Sequence, residues 1–303
     1  MLSTLSEPER VELLEPPATD VPMVLDTDAY NEVDDQFAIA YSCRALDCEA
    51  IYAAPFHNDR SEGPGDGMEK SYDELERVLD RLPDLDRVPE TFRGSDRYLP
   101  GPDEPVASPA ATDLIERARK ERDGPLYVVA IGAPTNVSSA LIAAPEIADR
   151  IVVVWLGGQP HGWHTAREFN LQQDIHASRT LFDSGVPLVQ IPCKNVAEHV
   201  RTTVPELERC LGDVGEIGPF LVDRVAEYGD GRLGWSKVIW DIAAVAYLRN
   251  PDWLRSHLTA SPRLSDDYTW ARDPSRHLIR VASDADRDAI FQDCFESLGQ
   301  DLD

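Results

Sequence analysis

Five carboxylates fall within ten residues near the start of the chain: Asp26, Asp28, Glu32, Asp34 and Asp35. They follow the apolar run Pro22-Met-Val-Leu25 and precede Phe37-Ala-Ile39, which places them in a strand-to-helix turn. Asp34 and Asp35 open the helix, where the macrodipole favours negative charge. Capping accounts for one or two acids in such a turn, but not for Asp28 facing Asp34 and Asp35 across it. Converging carboxylates repel unless they share a proton or hold a cation between them. An all-oxygen ligand set suits a hard cation, Ca²⁺ or Mg²⁺.

The surrounding pattern says what must position this cluster. Short apolar runs alternate with longer amphipathic ones. Strands are expected at Pro22–Leu25, Ala50–Ala54, Val88–Phe92, Leu126–Ile131, Ile151–Leu156 and Pro187–Ile191. Helices are expected at Asp34–Leu46, Met68–Leu82, Pro109–Arg122, Pro134–Ala144, Asp174–Ser184, Glu216–Tyr228, Ile239–Leu248 and Asp284–Leu298, with a hairpin at Tyr268–Val281. Strand-then-helix alternation implies an α/β fold, a mainly parallel central sheet with helices on both faces. Sites in such sheets form beyond the carboxyl ends of the strands. That directs attention to Asp26 and Asp28, to Asn58, to the loops after Ile131 and Leu156, and to Lys194-Asn195.

At those positions the chain resembles the inosine–uridine nucleoside hydrolase family. Asp26-Thr-Asp28 followed by Asp34-Asp35-Gln-Phe-Ala-Ile resembles that family's Asp-x-Asp-x-x-x-Asp-Asp run, with two extra residues in the turn Ala29–Val33. Val128-Val-Ala-Ile-Gly-Ala-Pro-Thr-Asn136 resembles the strand and turn whose backbone carbonyl ligates the metal, here Ile131. Trp155-Leu-Gly-Gly158 with Arg167-Glu-Phe-Asn170 resembles the sugar-holding element, and Trp240-Asp241 the late Asp of the metal site. The resemblance implies a nucleoside hydrolase-like fold and Ca²⁺ held by Asp28, Asp35, Asp241 and the Ile131 carbonyl. It implies Asp28 as general base, Asp34 on the 2′-hydroxyl, and Glu168 and Asn170 on the 5′-hydroxyl side. Asn58 is a further expected ribose contact. Trp240 stands where some members carry His, and a Trp there resembles purine-preferring members. His164 is a candidate leaving-group acid and Trp163 a candidate substrate contact. The implied reaction is hydrolysis of the N-glycosidic bond of ribonucleosides, giving ribose and free base.

Two other readings compete. Asp26-x-Asp28 after an apolar strand also fits a haloacid-dehalogenase-type phosphatase with Asp26 as nucleophile. The altered turn and Trp240 also fit a calcium-dependent nucleoside- or sugar-binding protein without turnover.

Composition bounds the rest. The net charge of −26 opposes binding to nucleic acid and to anionic membranes, and no apolar run is long enough to span a bilayer. Of 29 basic residues only Lys70, Lys120, Lys194 and Lys237 are lysines. Such acid-rich, lysine-poor chains resemble proteins of salt-loving organisms. Five cysteines without a Cys-x-x-Cys motif point to reduced thiols. Residues 1–20 are acidic and Pro-bearing, lack the features of a signal peptide, and are expected to form a flexible leader on a cytoplasmic protein. Residues 21–303 are expected to form one domain that assembles as a homodimer or tetramer and takes a small nucleoside as its partner.

Overall fold

The computed structural model describes residues 3–17, 21–232 and 234–299. Six strands alternate with helices along the first two thirds: β1 (Pro22–Thr27), β2 (Asp47–Ala53), β3 (Glu90–Arg93), β4 (Leu126–Ala130), β5 (Ile151–Leu156) and β6 (Leu188–Ile191). Two short strands, β7 (Arg201–Thr202) and β8 (Lys237–Val238), pair with each other. β9 (Ser256–Ala260) leads through a small ladder of β10 (Arg263–Leu264) and β11 (Trp270–Ala271) to β12 (Leu278–Ala282). The central sheet runs β3-β2-β1-β4-β5-β6-β12-β9. All its neighbours are parallel except β12 and β9.

The helices are α1 (Glu7–Leu13), α2 (Asp35–Ala45), α3 (Pro64–Leu79), α4 (Pro109–Arg119), α5 (Thr135–Ala143), α6 (Phe169–Gln173), α7 (Ile175–Ser184), α8 (Val204–Leu211), α9 (Ile217–Gly229), α10 (Ile242–Arg249) and α11 (Arg287–Leu298). They cover both faces of the sheet, as the alternation predicts. β1 alternates between two cores. Met23 and Leu25 pack with Phe37 and Tyr41 of α2, Leu221 of α9 and Val245 of α10. Val24 packs with Leu114 of α4, Val137 of α5 and Leu181 of α7. β4 and β5 are buried throughout, as strands of a parallel sheet covered on both faces must be.

Three expectations need correction. The return to the sheet is not a hairpin at Tyr268–Val281. β12 pairs antiparallel with β9, from Leu278↔Ala260 to Ala282↔Ser256, and β10 and β11 are an excursion between them. The helix expected from Met68 starts at Pro64, because proline suits the first helical position. The described part of the expected flexible leader is docked. Ser6 and Glu9 form a capping box at the start of α1. Arg10 is buried, its Nε donating to the Gly185 carbonyl at 2.8 Å. Glu7 Oε1 accepts from the Leu278 N–H at 2.6 Å. Acidic composition describes the outside of this segment and misses its one buried arginine.

The five cysteines are free, and Cys48, Cys193 and Cys294 are buried. Among the described residues, no helix is long and apolar enough to cross a membrane.

Candidate active site

In this strand order, connections leave β1 and β4 in opposite directions. The crevice between such strands opens at their carboxyl ends. A cavity of about 570 Å³ lies there, and Asp28, Ile131 and Leu156, each just past or at the end of its strand, contribute to its wall.

Strand alternation separates the first acids. Asp26 follows Val24 to the α5 face, where its Oδ1 accepts from Asn136 Nδ2 at 2.8 Å. Burial pushes its carboxyl up to about 7. Asp26 does not line the cavity, so it is not placed to be the nucleophile that the phosphatase reading requires. Thr27 turns to the other face and donates its hydroxyl to Asp35 Oδ1 at 2.5 Å. Asp28 lies beyond the strand. A Cβ on Gly132 would stand 3.2 Å from the Asp28 carboxyl carbon and 3.1 Å from Ala54 Cβ, so glycine lets the β4 loop close against it.

Asp34 and Asp241 are the N-cap residues of α2 and α10. Their side chains are not spent on capping bonds, so they are available to the cavity. Asp34, Asp35 and Asp241 bring oxygens within 4.8 Å of one another. Asp28 is beside them. Burial first, then the charges of Asp35 and Asp34, push its carboxyl well above the usual range. Burial and then Asp34 raise Asp35 to about 7. Burial raises Asp34 to about 6, against the pull of Lys237. Burial, then Asp34 and Asp35, also raise Asp241.

Asp28 Oδ2 and Asp34 Oδ1 are buried without a hydrogen-bond partner. Such orphaned oxygens are costly, and a hard divalent cation is the partner that an all-oxygen set accepts. The residues present therefore fit a metal. The tightest convergence includes Asp34, which sequence reading set aside for a sugar hydroxyl.

The far wall comes from the loops after β4 and β5. Glu168 is the N-cap of α6 and accepts from the N–H groups of Gly158 at 2.9 Å, Asn170 at 3.0 Å and Leu171 at 3.1 Å. Gly158, at φ +72°, turns its N–H toward that carboxylate. Burial raises Glu168 despite these bonds. Asn170 Nδ2 donates to the carbonyls of Ile131 at 2.9 Å and Leu156 at 3.0 Å. Both amide hydrogens are thereby used, and Oδ1 is left as an acceptor. Asn58 lines the cavity, with Nδ2 donating to Asn31 Oδ1 at 2.7 Å. Trp240 is half-buried in the wall, and its backbone N–H donates to Asp34 Oδ2 at 3.2 Å. Lys194 Nζ lies 5.5 Å from the centre of the Trp240 ring.

Two sequence candidates are not in the cavity. Trp163 and His164 stack on each other with ring centres 6.4 Å apart, and neither lines it. His164 is exposed. His161 in the same loop turns away to Gln190, at 2.8 Å, and to the Trp270 ring. Burial lowers its imidazole to about 4. No histidine is among the described residues that line the cavity.

Sequence reading missed Lys237, Tyr228, Gln159 and Arg60. Lys237 carried a signal: it is one of only four lysines and stands four residues before Asp241. The others come from loops or helix ends whose direction no local pattern encodes.

Comparison with known proteins agrees with this geometry. The family model described as inosine-uridine preferring nucleoside hydrolase matches residues 23–292. The pyrimidine-specific ribonucleoside hydrolase RihA of Salmonella paratyphi A is 29% identical over 162 residues, which is 51% of this chain and 52% of that protein. RihA of Escherichia coli O1:K1 is 29% identical over 160 residues, 49% and 51% of the two chains. The match thus spans about half the length of these curated relatives. Among solved structures, an inosine-guanosine nucleoside hydrolase has a TM-score of 0.73 at 15% identity, covering 94% of this chain and 100% of that one. A purine-preferring ribonucleoside hydrolase from Gardnerella vaginalis has 0.68 at 21%, covering 91% and 98%. At such identities these likenesses speak for the fold alone. The family match over residues 23–292 speaks for more: the chain belongs to the inosine–uridine preferring nucleoside hydrolase family.

Proposed function

We propose that this cavity hydrolyses the N-glycosidic bond of ribonucleosides, with Ca²⁺ as cofactor and with a preference for purines. The observation that carries this reading is the buried acidic set, with orphaned oxygens, in the wall of a cavity of about 570 Å³. Asp28, Asp35, Asp241 and the Ile131 carbonyl would hold the cation, and Asp34 would accept from the sugar's 2′-hydroxyl. When bound, calcium neutralises the cluster and makes a water molecule more acidic.

Asp28 takes the water's proton. It lies beside the acids that would hold the cation, and its Oδ2 is buried without a hydrogen-bond partner, free to accept that proton. The water attacks C1′ from the face opposite the base, and the sugar passes through an oxocarbenium-like state. Asp34, Glu168 and Asn170 present oxygen acceptors around that developing positive charge. Asn170 Oδ1 and the Glu168 carboxylate accept from the 5′-hydroxyl side. With no histidine among the described residues that line the cavity, the C1′–N bond breaks with its electron pair going to the base, which takes its proton from solvent while stacked on Trp240. Aromatic stacking contributes about 1–3 kcal/mol per base, and it favours the larger purine ring. The RihA relatives are named for pyrimidine specificity, so Trp240 is what supports the opposite choice here.

Reducing-sugar release from inosine and uridine, in calcium and after chelation, tests the reading. Release from inosine that disappears on chelation and returns with calcium is expected. Calcium-dependent binding of inosine without release of ribose would favour the non-catalytic binder instead.

A further inference from the structure

Lys237 is 4% exposed and lies behind a cavity wall that it does not itself line. Its ammonium donates to the Val238 carbonyl at 2.6 Å and forms ion pairs with Glu32 Oε2 at 3.2 Å and Asp34 Oδ1 at 3.5 Å. The Val238 carbonyl belongs to the next residue, so the side chain curls back and the backbone itself fixes Nζ. Glu32 Oε1 accepts from the Tyr228 hydroxyl at 2.5 Å, and the Lys237 ammonium lies 5.4 Å from the Tyr228 ring centre. Asp34 Oδ2 accepts from the Trp240 N–H at 3.2 Å.

The result is a continuous chain, Tyr228–Glu32–Lys237–Asp34–Trp240. It ties the lengthened turn Ala29–Val33 to the end of α9 and to the segment carrying β8 and Asp241. Four of its five members, all but Lys237, line the cavity. Asp34 has two courses open to it. It already approaches Asp35 and Asp241 within 4.8 Å, where it would add a ligand to the cation. Held by Lys237, it keeps its own counter-charge and faces the sugar. Breaking a buried ion pair leaves an uncompensated charge, and the carboxylate is then no longer held in place.

We propose that Lys237 is a positioning residue that holds Asp34 as the acceptor for the sugar's 2′-hydroxyl, with Glu32 from the lengthened turn as the second leg of that hold. The proposal rests on the ribonucleoside reading above. Its consequence is that Lys237, although it touches no substrate, sets discrimination between ribose and 2-deoxyribose. A site built to bond a hydroxyl rejects the analogue that lacks it, and it does so only while the acceptor points the right way.

The test compares wild type with Lys237→Met, Lys237→Arg and Glu32→Gln. Three quantities are measured: kcat/KM on inosine and 2′-deoxyinosine, calorimetric binding of both in calcium, and calcium affinity by chelator competition. Lys237→Met is expected to cut the inosine-to-deoxyinosine ratio by at least about tenfold. Lys237→Arg should recover part of that loss, Glu32→Gln should fall between, and calcium affinity should stay within about threefold of wild type. A fall in the ratio of less than about threefold overturns the proposal. So does a calcium affinity weakened about tenfold or more, which would make Lys237 a support of the metal site only. If Lys237→Met does not fold, an unchanged ratio in both other variants overturns it. A wild type that binds both nucleosides without turnover defeats the hydrolase reading, and the binding ratio still decides the role of Lys237. A wild type that binds neither removes both.

Discussion

The carboxyls of Asp34 and Asp35, raised chiefly by burial to about 6 and about 7, tie the stability of the cation-free fold to pH. In the unfolded chain such groups release their protons near pH 4, by the usual value of about 3.9. Between there and about 7 the folded state holds more protons, so stability falls as pH rises through that window. Calcium competes for the ionised set and opposes the fall. The gap in Tm between calcium-loaded and chelated protein should therefore widen from pH 5 to pH 7.5. Other carboxylates titrate alike in both samples and cancel. A gap that stays constant or narrows contradicts cation binding by this cluster. In the wall of the site, Trp240→Ala should cost inosine turnover up to the factor of about 5–150 that 1–3 kcal/mol of stacking represents, and uridine turnover less. Equal losses would return Trp240 to a packing role. The acids were legible in the sequence because they are contiguous and end an apolar run. Trp163 and His164 were misplaced because a loop's composition does not say which way it faces, and the bonds of Pro160 to Trp163 and of Ala166 to Tyr268 settle that only in three dimensions.

Among the elements, the buried strands were the easiest to read, since runs such as Ile151–Leu156 have one apolar signature and sharp polar ends. α1 was the hardest. Its seven residues carry three acids, and its docking depends on Arg10 reaching Gly185, 175 positions away. Truncating a buried, hydrogen-bonded charge leaves its partners unpaired, a loss of about 2–4 kcal/mol. Arg10→Ala should lower Tm by several degrees while leaving the KM for inosine unchanged, because α1 docks against β12 and the end of α7, away from the cavity. A Tm within one degree of wild type would mean that this docking contributes nothing to the fold. The hairpin was misassigned for a related reason: β9 and β12 are separated by 17 residues that form their own ladder, and pairing across such a gap leaves no local mark.

Over the whole molecule, charge is the dominant fact. A net charge of −26 on 303 residues sets up self-repulsion that opposes the compact state. Screening reaches about 10 Å at 0.1 M salt and about 3 Å at 1 M. We propose that the fold is adapted to high salt, so its Tm should climb as potassium chloride rises from tens of millimolar to molar. Calcium should supply part of that gain at low salt by neutralising the densest cluster directly. A Tm that is flat or falls with salt would remove the halophilic reading and leave the enzyme assignment as it stands. The overall architecture was the most legible level, because strand–helix alternation admits few topologies and the site then follows from the strand order.

Asp28 lies just past the end of β1 among like charges and is assigned the water's proton. The most direct measurement compares ribose release from inosine by wild type and Asp28→Asn in saturating calcium, with folding checked by Tm. A correctly folded variant is expected, with turnover lower by at least about a thousandfold, the scale on which general-base catalysis operates. Turnover within tenfold of wild type would contradict it.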